Sequence, residues 1–168
     1  MRPALIVAGL LVVPLLAGCA AKHQSYAERC PSEIRLSQEP QPLGSSKALT
    51  EAIRTAGGGQ QAVSLGEVTR SAGWSDDWDA VIDASAAHDD DLMNKWAETP
   101  PGTCWAGLPP RIGVSDPVPS GYYVFLRDRH VVQSVAWDTG HKPVEFGSVP
   151  RLTHESILNP KGGQLRTY

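Results

Sequence analysis

Apolar residues along this chain come first as a block, then at helical spacing, and later in alternation. The block covers residues 4–17, which are apolar apart from Gly9 and Pro14. Within 46–56, Leu49, Ala52, Ile53 and Ala56 fall on one helical face, with Ser45 or Ser46 as cap and Gly57 as stop. The triplet Gly57-Gly58-Gly59 behind it reads as a flexible joint. Residues 89–98 predict a second helix: Asp89, Asp90 and Asp91 crowd its positive end, and Leu92, Met93 and Trp96 form its apolar side. Strands are predicted at 63–68 and 78–83, and a hairpin at 121–126 and 131–137 around the polar residues 127–130. In that hairpin Val124, Leu126, Val131, Gln133, Val135 and Trp137 read as one buried face. The proline-rich stretch 100–120 reads as a long loop. The polar tail 138–168 reads as irregular except for a short helix at 153–158, capped by Thr153. The sum is an α+β fold: a small antiparallel sheet of about four strands with two or three helices.

The block at 4–17 is too short to cross a bilayer, which takes about 20 apolar residues. With Arg2 before it and small residues after it, it has the form of a secretory leader. Its end reads Leu16-Ala17-Gly18-Cys19. This resembles the lipobox of bacterial lipoproteins: an aliphatic residue, two small residues, then cysteine. The resemblance covers only the leader. It implies cleavage before Cys19, S-diacylglyceryl attachment to its thiol and acylation of its new amino group. Stable anchoring takes more than one acyl chain, and this chemistry supplies two or three. The domain boundaries implied are a signal peptide at 1–18, an anchor, tether and entry segment at 19–45, and a globular domain at 46–168. Ala20 follows the cysteine, and Arg outnumbers Lys. The expected location is the outer face of the cell membrane, with the outer membrane of a two-membrane bacterium as the alternative.

Behind the leader, 150 residues are enough for one domain with a sizeable core. The net charge of −3 argues against nucleic acid and anionic lipid as partners, since both call for basic patches. Acids dominate the first part of the chain and bases the last, as two complementary folded surfaces would have. With Cys19 spent on lipid, Cys30 and Cys104 remain. In an oxidising compartment an even pair commonly bridges, and closing this loop would stabilise by roughly 4 kcal/mol. Two buried free thiols are the alternative.

Candidate chemistry is sparse. Residues 71–94 hold Asp76, Asp77, Asp79, Asp83, Asp89, Asp90 and Asp91 with no Lys or Arg, but not at the spacing of a calcium loop. The structural reading divides them among a turn, a strand and a helix cap. His23, His88, His130, His141 and His154 show no metal-ligand spacing, so no metal or cofactor is called for. There is no nucleophile elbow and no Ser-x-x-Lys; Asp138 and His141 form at most half a triad. Five tryptophans (74, 78, 96, 105, 137) serve either a core or a binding groove. The functional expectation is a lipid-anchored, non-catalytic binding or accessory protein of the envelope, whose partner is an envelope protein or a cell-wall component. The alternatives are a carrier of a small apolar or glycan ligand, marked by aromatics around an apolar cavity, and a small hydrolase, marked by a His–carboxylate pair and a serine in a cleft.

Overall fold

Alternation around residues 127–130 produces the predicted hairpin. In the computed structural model, which describes residues 29–85, 88–108, 120–138 and 142–168, it spans β5 (Ser120–Arg127) and β6 (His130–Asp138). Asp128 and Arg129 make the turn in the left-handed region, at φ 50° and 66°. Both central residues of a type I′ turn need that conformation. Strand β3 (Ala80–Ser85) pairs with β5, and the short β8 (Arg151–Leu152) covers the first half of its other edge. The order β6-β5-β3-β8 gives the expected four-stranded antiparallel sheet.

Both faces of this sheet are buried, so β3 is buried at every position. One face carries Val81, Tyr123, Phe125, Val135 and Trp137. It packs against α1 (Ser46–Gly57) and α2 (Leu65–Ser71) through Leu49, Ile53, Leu65 and Val68. A second sheet closes the same core through Val144, Leu158 and Leu165. Its strands β2 (Val63–Ser64), β9 (Ile157–Lys161), β10 (Gln164–Arg166) and β7 (Val144–Glu145) pair in that order. The other face carries Ala80, Ile82, Ala84, Val124 and Leu126. It is covered by α3 (Asp90–Ala97) through Met93 and Ala97, and by Leu36 and Trp105. Leu36 follows β1 (Ser32–Arg35), which pairs in parallel with β4 (Thr103–Ala106) carrying Trp105. The chain is thus α+β with three helices among the described residues.

Several local expectations are corrected. The hairpin does not present one buried face. A bulge between Phe125 and Leu126 pairs Phe125 with Gln133 but Leu126 with Val131. Val131 therefore packs with Val124 and Leu126 on one side, while Val135 and Trp137 lie on the other. At 63–68 only Val63–Ser64 is strand. Ser64 Oγ accepts from Glu67 N–H while the Glu67 carboxylate accepts from Ser64 N–H; this reciprocal cap starts α2. Gly57 is no joint: a Cβ there would lie 2.7 Å from the Gly163 carbonyl oxygen, so glycine permits close packing of α1 on β10. The proline-rich stretch contributes β4; its residues 109–119 lie outside the described residues. Residues 153–156 form a turn rather than a helix, because Ser156 Oγ accepts from Thr153 N–H. Beyond it the tail forms strands.

Cys30 and Cys104 are joined by a disulfide, Cα atoms 5.4 Å apart. It ties the chain just before β1 to β4. Buried Asn94 reinforces the same region. Its amide donates to the Thr103 carbonyl, and its oxygen accepts from Thr99 Oγ1 and Trp105 Nε1, each at 2.8 Å.

Candidate functional site

The central strand β3 places one charged side chain inside the protein. Asp83 sits among Ala80, Val81, Ile82 and Ala84 and is 8% exposed, the only buried charged residue among those described. Its Oδ2 meets Lys142 Nζ at 2.8 Å, and the same ammonium lies 3.7 Å from Glu145 Oε2. Lys142 also stands over the Trp137 ring, 4.4 Å from its centroid. Two features hold the lysine there. Tyr123 donates to the Val144 carbonyl at 2.8 Å and accepts from Val144 N–H at 2.9 Å, fixing β7 against β5. Gly121, opposite Trp137, leaves space for the indole: a Cβ there would lie 2.6 Å from the ring.

Burial drives the electrostatics. It pushes the Asp83 carboxyl above its ordinary value, and the hydrogen bond and charge of Lys142 oppose that only in part. Burial likewise pushes the Tyr123 phenol far up. Two polar atoms around the ammonium lack hydrogen-bond partners: the acceptor Asp83 Oδ1 and the donor Trp137 Nε1. Such groups cost about 1–3 kcal/mol each when left unsatisfied.

Asp83 also lines a cleft of about 240 Å³ with His88, Trp96, Phe146 and residues 147–150. β8 ends before Asp83, and the chain at 147–150 borders the opening. Ser85 N–H donates to His88 Nδ1 at 3.4 Å, so the neutral ring carries its proton on Nε2. Ser85 Oγ lies 3.5 Å from the same nitrogen. His88 stands edge-on to Trp96, centroids 4.5 Å apart. Two open grooves are larger: about 480 Å³ beside Glu98 and Arg129, and about 330 Å³ between residues 34–40 and β6. Neither contains a buried charge.

The seven aspartates do not form one site. Asp76 lies 3.7 Å from Arg70, and Asp77 lies 3.9 Å from Arg127. Asp79 accepts from Asp128 N–H and meets Arg151 at 3.4 Å. Asp89 caps α3, and Asp90 Oδ1 accepts from Trp105 N–H. Among the described residues no three His, Cys, Asp or Glu side chains gather as a metal site requires. His154 stacks on Trp78, centroids 3.7 Å apart, and its Nε2 donates to the Trp78 carbonyl; His130 is at the hairpin turn. Trp74, Trp78, Trp105 and Trp137 are core, whereas Trp96 is half-buried and lines the cleft. The void among the core aromatics measures about 10 Å³, room for at most about one water. Cys19, His23 and His141 lie outside the described residues.

The sequence reading missed Lys142 and Glu145 as partners of Asp83, whereas Trp96 was among the tryptophans named for a core or a groove. The available signal was Asp83 itself, an acid inside an apolar strand, which must find a partner when both faces are covered. No protein-family model, curated protein or solved structure matches this chain.

Proposed function

We propose that this chain is a lipid-anchored lipoprotein of the bacterial cell envelope, held through Cys19 on the outer face of the cell membrane, with a domain that acts by binding rather than catalysis. The Cys30–Cys104 disulfide is the observation that carries the reading. Such bonds persist where the compartment is oxidising, as it is outside the membrane. The bridge also pins the chain close behind Cys19, so the tether is short. Ten residues, 20–29, reach at most about 35 Å when extended, which keeps the domain near the bilayer. Among the described residues no helix is long and apolar enough to cross a membrane.

For the domain, the Asp83 cleft supports binding. Its carboxylate is committed to Lys142, and the core void is too small for an apolar cargo. A hydrolase draws on the contact between buried Ser85 and His88, of which His88 lines the cleft. However, Asp83 pairs with the lysine instead of orienting the histidine, so the relay that activates a serine is not assembled. Cross-linking in the native membrane tests the binding role, with mass spectrometry of what is captured and Cys19→Ala as control. A stoichiometric envelope partner or bound glycan that disappears in the control is expected. Turnover of ester substrates that is lost in Ser85→Ala would overturn the reading in favour of the hydrolase.

A further inference from the structure

We propose that the cleft beside Asp83 binds one uncharged, hydroxyl-bearing ring, such as a sugar residue of a cell-wall glycan. The inference rests on the envelope-binding reading and names the ligand class of that site.

The charge pattern narrows the class. Asp83 and Glu145 flank a single ammonium. A carboxylate entering the cleft would face the Asp83 carboxylate, and an amine would compete with Lys142 for it. A neutral ligand avoids both penalties. The hydrogen-bonding pattern narrows it further. Asp83, the buried acid in the lining, has one carboxylate oxygen, Oδ1, without a hydrogen-bond partner, while Oδ2 is held by Lys142. A hydroxyl is able to answer it, because it donates a hydrogen bond without bringing a charge. Size sets the limit. Drug-sized ligands occupy about 300–1,000 Å³, so 240 Å³ suits a single ring. Trp96 and His88 supply aromatic surface in the lining, against which the C–H face of a sugar packs without a charge. The Asp83 carboxylate reaches the ligand only if Oδ1, now buried, turns toward the cleft; release of its desolvation cost favours that movement.

The test uses the full-length lipidated protein in detergent micelles. Glucose, galactose and N-acetylglucosamine are added separately, with acetate and butylamine as charged comparisons. Saturation-transfer NMR and tryptophan fluorescence read binding. Saturable binding of at least one sugar in the millimolar range is expected, at least tenfold tighter than acetate or butylamine. His88→Ala and Asp83→Asn should each weaken it at least fivefold. His88 is half-buried, so its removal spares the core and keeps the test valid if the Asp83 variant folds poorly. No saturation transfer to any of the three sugars would overturn the proposal, leaving buried water as the partner of Asp83 Oδ1. Equal binding by both variants, or preference for acetate or butylamine, would overturn it too. The N-terminal mass of the same sample separates the two layers. A lipidated chain that binds no sugar sinks the cleft proposal alone; an unlipidated chain that binds sugar sinks the anchoring reading and not the cleft.

Discussion

The two faces of the central sheet are held by different means. Toward α1 and α2 the contact is large and apolar: Leu49, Ile53, Val68, Trp74, Trp78 and Phe125 interlock, and two capped helices supply the cover. Toward α3 the sheet presents smaller groups, Ala80, Ile82 and Ala84, and the cover is an eight-residue helix with a two-stranded ribbon. A helix and ribbon that short contribute little on their own. A disulfide and the Asn94 network supply what apolar area does not. Larger apolar groups dominate one face, and the other adds a disulfide to its smaller apolar cluster. The Asp83–Lys142 pair is a charged exception on the apolar face, at the edge where β8 stops.

Opening the disulfide should have the largest effect. Replacing Cys30 and Cys104 by serine should cost about 4 kcal/mol in denaturant unfolding. Hydrogen exchange should show β1 and β4 losing protection before α1 does; equal loss in α1 would erase the distinction between the faces. Leu49→Ala on the opposite face should cost about 3 kcal/mol, the range for an aliphatic side chain removed from a closed core. Its unfolding should stay a single cooperative transition, because the hydrogen bonds on that face, such as Tyr123 to Val144 and Leu43 N–H to Gln133, lie within the same apolar cluster.

Much of the apolar face was legible in the sequence, and little of the other. Leu49, Ile53 and Ala56 carry a helical period that burial enforces, so α1 stands where the pattern puts it. The tight turn at Asp128 and Arg129 separates two alternating runs, so the hairpin was readable as well. The bulge at Val132 was not: it shifts the register by one residue without a glycine to mark it. β4 was hidden among prolines because what defines it is the parallel pairing with β1, about 70 residues earlier, which no local pattern carries. The candidate site shares that limit. Asp83 was visible as an acid in a strand, but Lys142 and Glu145 reach it only through the strand order. The short α2 was misjudged for a different reason: Val63, Leu65 and Val68 look like strand residues, and the Ser64–Glu67 cap outweighs that preference.

Smaller effects sharpen the comparison further. Asn94→Ala should cost about 2 kcal/mol, since it leaves the Thr99 hydroxyl and Trp105 indole N–H without their acceptor. The loss should appear in β4 and α3 protection and hardly in α1. The smallest effect is on the pH profile. Because the folded Asp83 carboxyl titrates above its ordinary 3.8, the folded state binds the proton more tightly. Its contribution to stability is therefore fullest below that pH and declines as pH rises through the raised folded value. Glu67 and Glu155, held below their ordinary 4.5 by hydrogen bonds, act in the opposite sense and lose their contribution as pH falls through their lowered values. Thermal melts of wild type and Asp83→Asn across the acid range separate the two: the difference curve should slope downward with rising pH, and a flat difference would remove the burial argument.

The most direct measurement is the intact mass of the protein extracted from the membrane of its own cell, before and after reduction. The account predicts a chain that begins at Cys19, carries the added mass of a diacylglyceryl group with or without a further acyl chain, and gains about 2 Da on reduction as the Cys30–Cys104 bridge opens. A chain that begins elsewhere or carries no acyl mass would contradict the anchoring. No mass gain on reduction would contradict the covalent tie on which the α3 face depends.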